Sequence, residues 1–232
     1  MKAELGKASR IISVSHAIAH DLESRLGAPR VTVIPNGVFA ERICNKNDIM
    51  QGDTVVFTLV GRIDANKRQQ DALRAFIEIS SEFPQARLKF VGTGDAEIES
   101  ELRAIADDSS AKERIEFCGY RSDMPQVWRE TDVALNCSFS EGCSMVVAEA
   151  MSSGCLVLCS NAEGNAELVD KDTGLLYERC DAEDLAQKMR WVLEHPLDAC
   201  EMASRGKACA LRRFSIDAQL DSVMRVFYEV LA

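Results

Sequence analysis

The sequence lacks several features that would assign it to a particular class of protein. It has no apolar run of about 18 residues, so we expect no transmembrane helix. Residues 1–15 contain no apolar segment typical of a secretory signal. There is no basic run, and the formal net charge is −10, so nucleic acid is not an expected partner. The sequence contains neither an internal repeat nor a low-complexity linker, and its composition is ordinary for a soluble globular protein.

The nine cysteines are numerous but show no pairing pattern. None belongs to a CxxC pair, and the ligand spacings of a metal site are absent. Cys155 and Cys159 stand among leucines in an apolar run, as small core side chains do. We interpret the cysteines as reduced thiols, with disulfides or a metal site as the alternatives. His16 and His20 share a helical spacing but have no evident third ligand, so we expect no bound metal.

Short apolar runs alternate with amphipathic segments along the whole chain. The predicted strands are residues 10–14, 30–34, 54–60, 87–91, 114–117, 132–136, 155–158 and 175–177. The predicted helices are residues 16–26, 68–83, 96–106, 124–130, 145–153, 181–194 and 198–232, and residues 40–53 are predicted to form a loop. This alternation predicts an α/β fold, a doubly wound parallel sheet with helices on both faces. Such sheets bind ligands beyond the carboxyl ends of their strands.

The turn after the predicted strand 54–60 carries two cations. Gly61 ends the strand, and Arg62 and Lys67 bracket the loop that follows. An arginine and a lysine placed in this way can bind a diphosphate, the first through a forked pair of hydrogen bonds and the second as a point charge. The alternative interpretation is that both are solvated surface cations.

The turn after the predicted strand 87–91 reads Gly92-Thr93-Gly94. It does not match GxGxxG, so the dinucleotide-binding fingerprint is absent. Two glycines would let a ligand approach the backbone closely, or they merely form a turn.

The turn after the predicted strand 132–136 carries two carboxylates. Glu141 lies in the loop, and Glu149 lies within a nearly all-apolar helix that begins near Ser144 and Met145. A helix N-terminus suits a phosphate, and the carboxylates could accept hydrogen bonds from sugar hydroxyls. The alternative is a first-turn charge and a solvated helix residue. We favour a ligand site, because a carboxylate in an apolar helix is costly unless it has a partner.

The segment SFSEGCSMVVAEAMSSGCLV (138–157) resembles the E-x7-E motif of retaining GT-B glycosyltransferases, specifically glycosyltransferase family 4. Five other segments are similar to that family and occur in the same order. They are VIPNGV (33–38), GRIDANK (61–67), FVGTGDAEIESEL (90–102), FCGYRSDMPQVWRETDVAL (117–135) and TGLLYERCDAEDLAQKM (173–189). One departure is Gly142-Cys143-Ser144, where the family often has Gly-Phe-Gly, and this affects the expected shape of the sugar pocket.

The resemblance implies that the chain is the nucleotide-sugar-binding C-terminal half of a GT-B fold, with a Rossmann-like sheet. Residues 1–30 would be the last strand and linker helix of the N-terminal domain. Residues 31–214 would form the donor-binding domain, and residues 215–232 a crossover helix. The acceptor-binding domain would then lie outside this chain, as a missing or separate partner. Apolar surface on residues 10–26 and 215–231 should be exposed, and self-association through it is expected.

The resemblance also implies roles for individual residues. The catalytic residues would be Glu141, Arg62 and Lys67. The residues that bind the donor would be Gly61, Arg62, Lys67, Gly92, Gly94, Gly119, Tyr120, Arg121, Glu141, Gly142, Cys143, Ser144, Met145, Val146 and Glu149. Within this set the two cations would bind the diphosphate, Glu149 the ribose and Glu141 the transferred sugar, with residues 119–121 bordering the base.

The expected activity is transfer of a sugar from a nucleotide-diphosphate sugar, with retention of configuration, in glycan or polysaccharide synthesis. UDP-sugars are favoured and GDP-sugars are the alternative, with no required metal or other cofactor. The complete enzyme would work in the cytoplasm at the inner face of a membrane. A second hypothesis is a stand-alone nucleotide or nucleotide-sugar binder without transferase activity. A third, a flavodoxin- or receiver-like module, gives no reason for the paired glutamates.

Overall fold

The computed structural model describes residues 8–26 and 30–231. The strands are β1 (Ile11–Ser13), β2 (Val31–Val33), β3 (Val55–Val60), β4 (Ala86–Val91), β5 (Ile115–Phe117), β6 (Val133–Asn136), β7 (Leu156–Ser160) and β8 (Leu175–Tyr177). The α-helices are α1 (His16–Leu26), α2 (Gln69–Ile79), α3 (Ala96–Asp108), α4 (Met124–Arg129), α5 (Met145–Ser153), α6 (Glu163–Leu168), α7 (Ala182–Glu194), α8 (Pro196–Arg213) and α9 (Ile216–Leu231). Two short 3-10 turns span Ala40–Arg42 and Lys112–Arg114.

Six strands form one parallel sheet in the order β5-β4-β3-β6-β7-β8. Phe57 of β3 is aligned with Leu88 of β4 on one side and with Val133 of β6 on the other. The direction in which successive strands are added therefore reverses between β3 and β6. This reversal is the topological switch point of a doubly wound sheet, where ligands bind. The predicted fold class is confirmed.

The core lies on both faces of the sheet. Leu156 and Leu158 of β7 belong to one apolar cluster, whereas Val157 and Cys159 belong to a cluster on the opposite face. This is the alternation of a strand whose two faces are both covered. All nine cysteines lie in the described ranges, and none of them forms a disulfide there. Burial raises the pKa of the Cys155 thiol to about 12, as expected of a core side chain.

The C-terminal region is helical, as predicted. The prediction makes the last 35 residues helical with a terminal helix over residues 215–232, and the structure has two helices there, α8 and α9, divided at Phe214 and Ser215. Phe214 is buried, and its carbonyl accepts a hydrogen bond of 2.7 Å from the Val38 N–H. The break is therefore held by a tertiary contact from a distant part of the chain, which helical periodicity does not report.

Two smaller differences concern helix bounds. α2 begins one residue later than predicted, because Arg68 adopts a left-handed backbone conformation (φ 47°). It ends at Ile79 rather than at residue 83. The six-residue helix α6 was not predicted at all, and it lies beside the candidate site described below.

A separate two-stranded parallel sheet joins β1 and β2, with Ile11 aligned with Val31. The predicted domain boundary between residues 30 and 31 would thus place these two paired strands in different domains. The predicted domain bounds as a whole stay a prediction. Residues 1–7, 27–29 and 232 of the predicted segments lie outside the described residues. Glu167 of α6 holds this region to the larger sheet, because its carboxylate accepts hydrogen bonds from the N–H groups of His16 and Ala17 at 2.7 and 2.8 Å.

Helix α9 presents an apolar face to solvent. Leu220, Phe227 and Val230 are 53%, 56% and 42% exposed, whereas Val226 is buried. The predicted exposure of apolar surface on this segment is therefore confirmed for the described part of the chain. Among those same residues, no helix combines the length and apolarity needed to cross a membrane.

Candidate functional site

Two loops meet at the switch point, one after β3 and the other after β6. Asn66 of the first loop binds the second three times. Its carbonyl accepts from the Phe139 N–H at 2.8 Å, its side-chain amide donates to the Ser140 carbonyl at 3.1 Å, and its side-chain oxygen accepts from the Ser140 N–H at 3.2 Å. These hydrogen bonds hold together the two segments that carry the predicted charged residues.

Lys67 and Glu141 are in direct contact across these loops. The Lys67 Nζ lies 2.5 Å from Glu141 Oε1. The same oxygen accepts from Ser138 Oγ at 2.6 Å and from Asn136 Nδ2 at 3.4 Å. Both charged side chains are largely buried, so screening by solvent is weak and the contact is strong. The structure therefore brings together two of the three predicted catalytic residues.

Arg62, the third predicted catalytic residue, contacts a different carboxylate. Its Nε donates to Asp64 at 2.9 Å, and its side chain is 77% exposed. Burial raises the pKa of Asp64, but hydrogen bonds from the Lys67 N–H and from Arg62 outweigh burial and lower that pKa below its ordinary value. Arg62 and Lys67 are therefore each held by a separate carboxylate rather than aimed jointly at one point.

The N-terminus of α5 lies directly behind the loop after β6. Ser144 is its N-cap, with Oγ accepting from the Val147 N–H at 3.4 Å and from Asn136 Nδ2 at 2.9 Å. The N–H groups of Met145 and Val146 donate to no other residue within the described ranges. They are available to an anion, as the sequence predicts for this helix end.

Glu149 lies on α5 and is 5% exposed. Its carboxylate is bound side-on by Arg42, with Nε to Oε1 at 3.0 Å and Nη2 to Oε2 at 3.3 Å. This is the partner that a buried carboxylate requires. Arg42 lies in a segment predicted only as a loop, and 107 residues separate it from Glu149, so sequence spacing gives no sign of the pair.

A pocket of about 280 Å³ opens at the ends of β3, β4 and β5. Its lining residues are Arg42, Val60, Gly61, Arg62, Val91, Gly92, Thr93, Tyr120, Arg121 and Met124. The pocket therefore gathers the predicted residues of three separate turns, together with Arg42. Arg121 is held at its rim by Asp123 through hydrogen bonds of 2.7 and 2.6 Å, and Tyr120 is 78% exposed.

The two glycines after β4 have a structural explanation. A Cβ on Gly92 would lie 2.0 Å from the Gly61 carbonyl oxygen, and a Cβ on Gly94 would lie 2.1 Å from the Ile63 carbonyl oxygen. Both glycines therefore let two backbone turns pack together. Gly92 also lines the pocket, but Gly94 and Gly119 do not, and ligand contact at those two positions stays a prediction.

Gly142 and Cys143 line a second pocket of about 240 Å³, next to β1, β2 and the start of α1. Burial raises the pKa of the Cys143 thiol above its ordinary value. Helix α6 packs closely against this loop, because a Cβ on Gly164 would lie 2.5 Å from the Glu141 carbonyl oxygen. The structure therefore separates residues 142–143 from the first pocket, although both pockets flank the loop after β6.

An open parallel sheet with cations, carboxylates and a free helix N-terminus at its switch point is typical of Rossmann-like domains. The family model for glycosyl transferases group 1 matches residues 54–195, more than half of the chain. The chain belongs to this family, and its fold is that of a C-terminal GT-B domain.

Curated relatives and solved structures agree with this family. The chain is 28% identical, over 217 residues, to UDP-Gal:alpha-D-GlcNAc-diphosphoundecaprenol alpha-1,3-galactosyltransferase of Escherichia coli, covering 87% of this chain and 55% of that enzyme. It is 26% identical to trehalose synthase of Pyrococcus horikoshii, covering 80% of this chain and 46% of that enzyme. Anabaena HepE in complex with UDP superimposes with a TM-score of 0.86 at 24% identity, covering 96% of this chain and 64% of that one. The chain therefore spans about half the length of these two curated relatives.

Proposed function

We propose that this chain is the donor-binding domain of a retaining glycosyltransferase that uses a nucleotide-diphosphate sugar, with a UDP-sugar as the favoured donor. The observation that carries the proposal is the contact of Lys67 with Glu141 at the switch point, next to a pocket lined by Arg42, Arg62 and Arg121. Cations beside a free helix N-terminus suit a diphosphate, and a carboxylate beside them suits sugar hydroxyls.

The UDP preference is supported by relatives that use this nucleotide. The Escherichia coli relative is named for a UDP-galactose donor, and Anabaena HepE is bound to UDP and to UDP-glucose in solved structures. Tyr120 and Arg121 at the rim of the pocket are proposed to border the base. Glu149 is proposed to accept hydrogen bonds from the ribose hydroxyls.

The proposed reaction breaks the bond between the anomeric carbon of the sugar and the β-phosphate oxygen, while the acceptor oxygen attacks the same face of the sugar. The acceptor proton passes to the departing phosphate oxygen. Negative charge develops on the diphosphate, where Lys67, Arg62 and the N–H groups of Met145 and Val146 would stabilise it. Lys67 must then exchange its contact with Glu141 for one with phosphate when the donor binds.

Transfer is proposed to need a second, acceptor-binding domain. The acceptor oxygen must be held against the anomeric carbon, and alignment of this kind is worth about 7–11 kcal/mol in well-oriented reactions. The exposed apolar face of α9, with Leu220, Phe227 and Val230, is proposed to contact that domain.

The first test is calorimetry with UDP, UMP and uridine, and with GDP, GMP and guanosine. We expect the preferred diphosphate to bind about 10- to 100-fold more tightly than its monophosphate, the range of one charge-assisted hydrogen bond. Lys67→Ala and Arg62→Ala should reduce this ratio. Lys112→Ala is the matched control, because Lys112 directly precedes β5 at the amino ends of the parallel strands, whereas the site lies at their carboxyl ends.

Equal affinity for UDP and uridine, and likewise for GDP and guanosine, would overturn the proposed diphosphate site. A chain that binds nucleotide but never supports transfer, even with an acceptor-binding domain supplied, would favour the stand-alone binding module.

A further inference from the structure

The pocket wall beside Glu149 is formed by Arg42, not by Glu149 itself. Arg42 is among the residues that line the pocket, whereas Glu149 is almost fully buried and is not. Any ligand group that reaches Glu149 from this pocket therefore passes along the Arg42 guanidinium. A residue at that position influences which hydrogen-bond donors of a ligand can reach the Glu149 carboxylate.

The backbone that carries Arg42 is docked along α5. The 3-10 turn Ala40–Arg42 is followed by Cys44, whose N–H donates to Ser153 Oγ at 3.2 Å and whose thiol donates to the Ser153 carbonyl at 3.7 Å. Ser153 lies one helical turn after Glu149, so both contacts fall on the same face of α5. The position of the Arg42 side chain is thus set by the helix that carries its carboxylate partner.

Arg42 and Glu149 each keep hydrogen-bonding groups that their ion pair does not use. Arg42 uses Nε and Nη2 on the two oxygens of Glu149, and its Nη1 donates to no other residue in the described ranges. An ionised carboxylate has about four acceptor sites, of which the guanidinium occupies two. The remaining lone pairs of Glu149 are therefore held in a fixed orientation and accept from no other residue in the described ranges.

An ion pair between a buried carboxylate and a half-exposed guanidinium is weak grounds for a purely stabilising role, because desolvation of Glu149 and solvent screening at Arg42 offset much of their attraction. Because Arg42 also lines the pocket, the ion pair is placed where it can act in ligand recognition. We propose that Arg42 is a positioning residue for the ribose: it fixes the Glu149 carboxylate so that it accepts from the ribose hydroxyls. This inference rests on the proposed function, since it takes the ligand to be a ribonucleotide.

The experiment compares the binding of UDP, 2′-deoxy-UDP, 3′-deoxy-UDP and UMP by calorimetry. We expect the unaltered chain to prefer UDP over at least one deoxy analogue by about tenfold, the effect of losing a hydrogen bond to a charged group. Arg42→Lys keeps the charge but loses the fork, so this preference should fall to about twofold. The ratio of UDP to UMP affinity should stay unchanged in this variant.

Arg62→Ala is the matched control, because its expected effects on the two affinity ratios are the reverse of those of Arg42→Lys. Its ratio of UDP to UMP affinity should fall, whereas its preference for the ribose should persist. A further comparison uses Glu149→Gln with and without Arg42→Lys. If Arg42 acts through Glu149, adding the second substitution should change ribose preference no further.

Arg42→Ala leaves a buried carboxylate without its partner, so its folding is checked first by thermal melting. If it does not fold, Arg42→Lys, which retains a cation, decides the question. Unchanged ribose preference in a folded Arg42 variant would overturn the inference. The inference would also be overturned if the unaltered chain bound UDP and both deoxy analogues with equal affinity. Tighter binding of UDP than of UMP in the same chain would show that the diphosphate site is intact. Failure to bind any diphosphate would instead refute the proposed function.

Discussion

At the scale of single residues, the candidate site consists of charges that hold one another in place. Lys67 is paired with Glu141 and Arg42 with Glu149, with hydrogen-bonded distances of 2.5 and 3.0 Å. The two carboxylates differ in what surrounds them. Glu141 lies in a loop among hydroxyl and amide donors, whereas Glu149 lies on a helix and has a guanidinium in front of it. The two glutamates are thus held by different protein partners, and they are proposed to bind different ligand groups.

This difference gives unequal expectations for two isosteric substitutions. Glu149→Gln should weaken UDP binding by about tenfold, because it removes a charged acceptor from the ribose and leaves Arg42 without its ion-pair partner. Glu141→Gln should change UDP affinity less, because it also releases Lys67 for the phosphates. In an enzyme reassembled with an acceptor-binding domain, Glu141→Gln should mainly lower turnover. Calorimetry and a transfer assay measure the two effects, and a ligand-bound structure with Glu149 away from the ribose would contradict the assignment.

At the scale of secondary-structure elements, α6 supports the site although it is only six residues long. Gly164 packs against the backbone of Glu141, and the Gly164 N–H donates to the Glu141 carbonyl at 3.1 Å. Asn165 donates to the side chain of Asn136 at 3.2 Å, and Glu167 accepts from the start of α1. This helix therefore connects the loop after β6 with the region of β1 and α1.

Gly164→Ala tests whether that support matters for binding. The added Cβ would lie 2.5 Å from the Glu141 carbonyl oxygen and 2.7 Å from that of Gly142, so the loop must move. Overpacking of this kind costs about 1–3 kcal/mol of folding stability, and displacement of Glu141 should also weaken UDP binding. Gly52→Ala is the control, because nothing lies within 4 Å of a Cβ there. Equal melting temperatures and UDP affinities for the two variants would show that α6 does not support the loop.

At the scale of the whole molecule, the proposed donor site lies at one sheet, whereas the proposed reaction needs an acceptor held from outside that sheet. The switch-point loops, the pocket and both ion pairs belong to elements between the 3-10 turn Ala40–Arg42 and α6. Donor binding should therefore be a property of this chain. Sugar transfer is proposed to be a property of a larger assembly, because the acceptor oxygen must be held against the anomeric carbon.

We accordingly expect the purified chain to bind a nucleotide sugar and to hydrolyse it slowly, but not to transfer the sugar. Water needs no positioning by a second domain, whereas an acceptor hydroxyl does. The measurement is product formation from a radiolabelled UDP-sugar with a simple acceptor, with and without a separately supplied acceptor-binding domain. Robust transfer by a monomer of this chain alone would show that no second domain is needed.

The features that depend on local pattern could be predicted from the amino-acid sequence alone. Alternating strands and helices predicted the doubly wound sheet, and the glycine, cation and carboxylate turns predicted where its ligand loops lie. Each of these signals is contained within about 20 consecutive residues, where periodicity and turn chemistry operate. The apolar surroundings of Glu149 also indicated that it needs a partner.

Which residues meet could be seen only in the folded chain. Arg42 reaches Glu149 across 107 positions, and Lys67 reaches Glu141 across 74. The structure also showed that Gly92 and Gly94 serve the packing of two turns, that α6 packs against the Glu141 loop, and that the Phe214 carbonyl accepts from the distant Val38 N–H. The physical reason is that such contacts depend on the order of strands in the sheet and on the volume left between elements, and neither leaves a periodic trace in the chain.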